Sequence, residues 1–287
     1  MFKYMKYEFK GTYKFMGLLI LFVLGASTAI QLFTLNATKK FNDGLEGFGK
    51  IPNLLIPLLV LMIFGAFVTA LFYIIGSFRK ELYEDRGYLT FSLPLSGNQI
   101  LGAKTLTALI WAAILGFSAL FYNLGLGSIL FGAKWLEGLK YLLNYTPINI
   151  ILTLSFTFIL SSVITLLLIY FSITLSRVSI KNKKIGGLWF ILFLIINFIV
   201  TYATLKVSSI FPYYLDLSTF KIMANEAIFK EYGNMGMYVM SLGTDSGLFI
   251  AGNGTILTNI STLIFSILVA VGTFLGTSYL MERKIDL

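Results

Sequence analysis

The sequence predicts an all-α membrane protein with six transmembrane helices, on three observations. Of its 287 residues, 57% are hydrophobic and only 12% are charged, where soluble domains carry about 25% charged residues. The charges gather in short stretches between long apolar runs, the pattern of a chain embedded in lipid. Six of those runs reach the roughly 20 residues that a helix needs to cross a hydrocarbon core about 30 Å thick.

The runs cover residues 15–35, 52–77, 101–132, 149–176, 187–205 and 256–281. The third exceeds what a crossing requires, so it is expected to tilt or to extend beyond the membrane. The first is long and has no small-residue cleavage site after it, so no cleaved leader is expected. There is no internal repeat and no low-complexity tract, and residues 1–287 read as one membrane domain. With the N-terminus inside, the inner segments hold 14 of the 22 Lys and Arg, although they are shorter in total than the outer ones. Both termini are therefore expected in the cytoplasm, with the chain in the plasma (inner) membrane. The Lys-, Asn- and Ile-rich composition is compatible with a bacterial source.

Ahead of the first span, residues 1–14 read as an amphipathic elbow helix. Phe2, Met5, Phe9, Tyr13 and Met16 recur at helical spacing, beside a stripe of Lys3, Lys6, Lys10 and Lys14. Such a helix can lie in the interface with its lysines at the headgroups. A plain positively charged flank is the other reading, and the matched stripes favour the interfacial one.

The first inner loop, residues 78–96, carries charged helix formers up to a stop at Gly87, then Tyr88, Leu89, Phe91, Leu93 and Leu95, with Pro94 as a breaker. Ser96 and Gln99 stand at capping-box spacing before the third span. A loop with this much apolar surface either docks on another protein or folds against the inner ends of its own helices. The residues alone leave these two readings open.

Within the spans the polar residues are Gln31, Asn123, Asn197 and the run Ser155, Thr157, Ser161, Ser162 and Thr165. Interhelical hydrogen bonding is their usual role. Asn123, Asn197, Ser161 and Thr165 are the candidates for lining a path. Gly272 and Gly276 form a small-residue packing motif in the sixth span.

The large outer loop between the fifth and sixth spans, residues 206–255, has a helical stripe of Phe220, Met223, Ala224, Ala227 and Ile228, then a glycine-rich apolar half. Two short helical or re-entrant pieces joined by turns are expected there.

Several function classes fall away. The net charge of +9 does not indicate nucleic acid, because the Lys and Arg flank membrane spans instead of forming a phosphate-tracking surface. The chain has no Cys and no His, which removes thiol chemistry, His-based triads and the usual zinc hydrolysis sites. Neither a catalytic residue nor a metal site is assigned, and no enzyme activity is expected of this chain. The spans hold no central ionisable residue, which disfavours ion-coupled carriers and pumps. Gly127-Ser-Ile-Leu-Phe-Gly132-Ala-Lys134 misses the phosphate-loop pattern, with Ala where Lys should follow the second Gly. Asn253-Gly-Thr255 matches a glycosylation acceptor that has no meaning in a bacterial chain.

Glu81-Leu-Tyr-Glu-Asp-Arg-Gly-Tyr-Leu-Thr-Phe-Ser-Leu-Pro-Leu-Ser96, followed by Gln99-Ile-Leu-Gly-Ala-Lys104, resembles the signature loop of the ABC-2 type permeases of ABC transporters. In size and layout the chain is similar to the permease subunits of phenol-soluble-modulin exporters. The resemblance implies an exporter subunit that forms the translocation path as a dimer, with a second permease copy or paralogue, and that is powered by a separate ABC-type ATP-binding subunit carrying ATP and Mg. It implies that residues 1–14 are the elbow helix and that the first inner loop holds the coupling helix. The coupling contact would then comprise Arg79, Glu81, Tyr83, Glu84, Asp85, Arg86, Tyr88 and Leu89, with a lesser contact at residues 177–186. An aromatic-rich, charge-poor interior suits amphipathic or hydrophobic peptides, and lipophilic compounds nearly as well. A membrane scaffold or sensor subunit that binds an ATPase and transports nothing is the alternative.

Overall fold

The computed structural model describes residues 1–42, 50–83, 94–146, 148–179, 187–216, 219–224, 238–239, 248–250 and 256–283. They form helices α1 (Phe2–Asn42), α2 (Lys50–Tyr83), α3 (Gly97–Phe131), α4 (Ala133–Tyr145), α5 (Ile148–Ser179), α6 (Leu188–Ile210) and α7 (Ile260–Arg283). Between α6 and α7 lie strands β1 (Tyr213–Asp216), β2 (Ile222–Ala224), β3 (Tyr238–Val239), β4 (Leu248–Ile250) and β5 (Ile256–Asn259). All but α4 of the helices are long and apolar enough to cross a membrane. The chain is a predominantly helical, multi-pass membrane protein.

The residues group into two compact units. The first comprises residues 1–78 and 106–142. Its core joins Met16, Leu19 and Val23 of α1 to Ala66 and Ala70 of α2 and Trp111 and Leu115 of α3. The two alanines, one turn apart, let α2 approach closely, as small residues do between helices in lipid. Phe9 stacks on Trp111 with ring centroids 4.3 Å apart, and Phe15 on Tyr73 at 4.0 Å. The Trp111 indole donates to Thr12 Oγ1 at 2.8 Å.

These contacts revise the expected elbow. Residues 1–14 are not a separate helix: they form the first turns of a continuous 41-residue helix. Gly11 alone is too weak a breaker to end a helix, costing about 1 kcal/mol. Part of the expected face is packed, since Phe9 stacks on Trp111 and Met16 is fully buried, but the packed face is shifted toward Tyr4 and Thr12. Tyr4, Thr12 and Met16 are buried, while Phe2 and Tyr13 are exposed. The spacing of Thr12, Met16, Leu19 and Val23 carries one buried stripe from the N-terminal turns into the span.

The long third run ends in a turn. Gly132 adopts φ +59° and its N–H donates to Ser128 O at 3.1 Å, closing α3 with a left-handed cap. Trp135 then folds back: its ring stacks on Phe131, and a Cβ on Gly127 would lie 2.5 Å from it. The two glycines of the imperfect phosphate-loop string thus have packing roles, one sparing room for an indole and the other supplying a positive φ. Helix α4, which the sequence reading missed, exposes Leu136, Tyr141 and Leu143 as well as Glu137 and Lys140.

The second unit comprises residues 79–105 and 143–287. Helices α5, α6 and α7 pack on one another. Buried Ile164, Leu168, Tyr170 and Ile173 of α5 and Thr277, Ser278 and Met281 of α7 fill this core. Of the expected glycine motif, only Gly276 is tight: a Cβ there would meet the Phe171 ring at 3.2 Å, whereas one on Gly272 meets nothing.

Among the described residues between α6 and α7 the structure forms an antiparallel sheet of order β2-β1-β5-β4-β3, where a helical stripe was expected to begin at Phe220, Met223 and Ala224. Met223 and Ala224, assigned to a helical stripe, pair with Tyr214 and Tyr213 instead. Residues 227 and 228 lie outside the described residues. The expected sixth span also loses its first four residues, which form β5. An antiparallel ladder satisfies the backbone groups of a segment emerging from lipid without a long apolar helix.

Asn259 marks the passage from strand to span. Its Oδ1 accepts the Thr262 N–H at 3.0 Å, as a helix N-cap does, while its Nδ2 donates to Ser208 Oγ at 3.1 Å. Asn259→Ala is expected to cost about 1–2 kcal/mol by loss of the cap, seen as a lower melting temperature of the detergent-solubilised chain. An unchanged melt would remove this role.

Candidate functional site

The loop that the sequence singles out is anchored at both flanks, and the anchors belong to the second unit. Residues 84–93, including Glu84, Asp85, Arg86, Tyr88 and Leu89, lie outside the described residues. Arg79, Glu81 and Tyr83 sit in the last turn and a half of α2.

The charges and apolar residues of that last stretch divide by face. Lys80 is exposed, while Glu81 and Leu82 are buried. Glu81 Oε1 meets Lys104 Nζ at 2.6 Å, with both side chains nearly excluded from solvent. This revises one expected contact residue: Glu81 is turned inward and held by α3, so it is not a free charge for a partner. A buried pair of this kind contributes little net stability, because each ion loses its hydration, but it fixes one arrangement of the two helices.

Tyr83 ends α2 as a three-way junction. Its hydroxyl lies 2.7 Å from Ser176 Oγ of α5. Its ring takes the Arg177 guanidinium at 5.4 Å and the Arg79 guanidinium at 5.8 Å. Cation–π contacts of this length hold two arginines near one ring.

The far flank is held in the same manner. Ser96 and Gln99 form the expected capping box, with Gln99 N–H donating to Ser96 Oγ at 3.4 Å and Ser96 N–H to Gln99 Oε1 at 3.3 Å. The Gly97 N–H donates to Glu282 Oε1 at 2.5 Å, placing a carboxylate from the end of α7 on the N-terminus of α3. That position favours negative charge, because the first N–H groups of a helix point outward without backbone partners. A Cβ on Gly97 would lie 2.9 Å from Ser278 Oγ and 3.0 Å from the Ser278 carbonyl oxygen, so only glycine lets α7 come this close.

Lys104, Ser176, Ser278 and Glu282 therefore join the site although sequence reasoning had not assigned them a contact. One signal was available: Lys104 lies seven residues inside α3 among apolar neighbours, and an ionisable group so placed needs a partner.

The four path-lining candidates fare differently. Asn123 is engaged in packing within the first unit: Gln31 Nε2 donates to its Oδ1 at 2.8 Å, and its own Nδ2 donates to Ser27 Oγ at 3.1 Å. Thr165 spends its hydroxyl on the Ser161 carbonyl at 2.9 Å, the local back-bonding common in membrane helices. Ser161 is half-buried. Asn197 differs, because its buried Oδ1 has no hydrogen-bond partner. Among the described residues no three His, Cys, Asp or Glu side chains gather in a metal-binding arrangement.

What the arrangement can do is mechanical. The loop between α2 and α3 is tied at one flank to α5 through Tyr83 and Ser176, and at the other to α7 through Gly97 and Glu282. Comparison with protein-family models, curated proteins and solved structures gives no match to this chain.

Proposed function

We propose that the chain is the membrane-spanning permease subunit of an ATP-driven exporter of the ABC-2 type, coupled to a separate ATP-binding subunit through residues 79–96. The observation that carries this reading is the double anchorage of that loop, on α5 by Tyr83 and on α7 by Glu282. A permease driven from outside needs no catalytic centre of its own. It needs a cytoplasmic handle joined stiffly to the spans that must move. Lys80, exposed on the last turn of α2, and the sequence Glu84-Asp-Arg-Gly-Tyr88 supply charge for specificity and a tyrosine for buried area.

In this reading two permease subunits enclose the path, both termini face the cytoplasm of a bacterial cell, and ATP and Mg reside on the partner. Closure of the ATPase dimer pushes the loop, and the inner ends of α5 and α7 follow. The sparse charge within the spans suits an amphipathic or hydrophobic peptide as cargo.

The test is the double variant Glu84→Ala/Tyr88→Ala. It is expected to weaken the complex with the ATP-binding subunit about 10- to 100-fold, as loss of central interface residues does, measured by co-purification from native membranes. If co-purification and ATP-driven transport both survive the change, the coupling assignment is wrong. Reconstituted with the ATPase, the native chain should show ATP hydrolysis stimulated by amphipathic peptides. A flat response across many ligands would favour a non-transporting scaffold.

A further inference from the structure

Strands β1 and β2 carry large apolar side chains on both sides, which is unusual for an element standing in water. An antiparallel sheet with one wet face normally turns its polar residues to that face. Here Asp216 is fully buried and accepts the Thr219 hydroxyl at 2.7 Å, with Tyr214, Met223 and Leu257 buried on the same side of the ladder. The opposite side shows Tyr213 at 53% and Ile222 at 66% exposure.

The turn between β1 and β2 repeats the pattern. Phe220 adopts φ +56°, the left-handed conformation that favours glycine, and its side chain is 67% exposed. A large aromatic side chain is thus held outward at a position where glycine would be unstrained.

The connections say which surface that is. After α6 ends at Ile210, only Phe211 and Pro212 precede β1, and β5 runs into α7 with no residue between. Strands β1 and β5 are hydrogen-bonded neighbours, so the sheet grows directly out of two packed membrane spans. The exposed apolar surface of the last turns of α6, at Leu205, Ile210 and Phe211, continues onto Tyr213. Lys206 lies over the Tyr202 ring at 5.7 Å, the pairing of a cation and an aromatic expected where a span leaves the hydrocarbon. Lys221, exposed between Phe220 and Ile222, can reach phosphate headgroups while its neighbours stay in the acyl boundary.

We infer that the face of β1 and β2 carrying Tyr213, Phe220 and Ile222 lies on the lipid bilayer, embedded at the headgroup boundary on the side where α6 ends. The inference is independent of the proposed transport role, since it uses only the spans and the sheet.

The chain contains no cysteine, so single-site spin labelling needs no background substitutions. Tyr213→Cys, Phe220→Cys and Ile222→Cys, each labelled and reconstituted as the full chain in phosphatidylcholine–phosphatidylglycerol bilayers, report collisions with oxygen and with a water-soluble nickel chelate. The proposal expects oxygen collisions to exceed those with nickel several-fold at all three sites. Nickel collisions dominating at all three would overturn it. So would dipolar broadening at residue 222 that disappears on dilution with unlabelled chain, because that outcome places a second copy on the face. Three exposed sites guard against one variant failing to fold.

Discussion

Lys104→Met is expected to destabilise the chain by about 3–5 kcal/mol, the usual cost of removing one member of a buried ion pair. The change keeps the length and apolar stem of the side chain but takes away the ammonium 2.6 Å from Glu81 Oε1. Glu81 is buried, so its carboxylate loses the nearest positive charge without gaining water. The double variant Glu81→Gln/Lys104→Met should recover most of the loss, since a neutral, well-packed pair often matches a buried ionic one. Melting of the purified chain in detergent, for parent, both single variants and the double variant, gives the coupling directly. A Lys104→Met chain as stable as its parent would show that the pair is dispensable. A double variant no better than the singles would show that packing, not charge, sets the cost.

The second large effect belongs to Gly97. Any side chain there must enter space already held by α7, with a Cβ 2.9 Å from Ser278 Oγ and 3.0 Å from the Ser278 carbonyl oxygen. The hydroxyl can rotate away, but the carbonyl belongs to the helix backbone and cannot. Gly97→Val is expected to cost about 1–3 kcal/mol, in the range of overpacked sites, and to part Gly97 N–H from Glu282. Gly272→Ala is the internal contrast. A Cβ there meets nothing, and alanine suits a helix interior better by about 0.5–1 kcal/mol. Thermal melts of the two variants should move in opposite directions. Equal shifts would mean that α3 and α7 do not meet closely at Gly97.

The parts of this fold legible in the sequence were those whose signal is local. Each span announces itself as an apolar run, because lipid requires a continuous apolar surface over a known length. Ser96 and Gln99 were readable as a capping box because the motif closes on itself within four residues. The first helix was legible in part at its near end: the stripe included Phe9 and Met16, which pack, but also Phe2 and Tyr13, which are exposed, and it omitted Tyr4 and Thr12, which are buried. The sheet escaped altogether. Its strands are two to four residues long, and β1 finds β5 more than forty residues away, so no local periodicity encodes the pairing. Met223 and Ala224 fit a helical stripe as well as a strand, and ladder partners decided between them.

The candidate site was half legible for the same reason. Residues 79–96 stood out because charge, aromatics and a breaker crowd together. The partners that fix the loop's flanks stand far along the chain, Ser176 on α5 and Glu282 on α7. Glu81 looked like a surface charge until its partner on α3 was known. Ion pairing between separate helices leaves no trace in the spacing of either one.

The stitching of β1 to β5 has a mechanical corollary. Two rods fastened at one tip can spread only at the other, like the arms of tweezers. Helices α6 and α7 are fastened where the strands zip together and where Asn259 reaches Ser208, so the ends farthest from the fastening are at Leu188 and Arg283. Glu282, the residue that grips the loop through Gly97, sits at such a tip. It is separated from the fastening by a lever arm of roughly 35 Å at 1.5 Å per helical residue, so in the proposed coupling role a pull at Gly97 would act with the greatest leverage the helix allows.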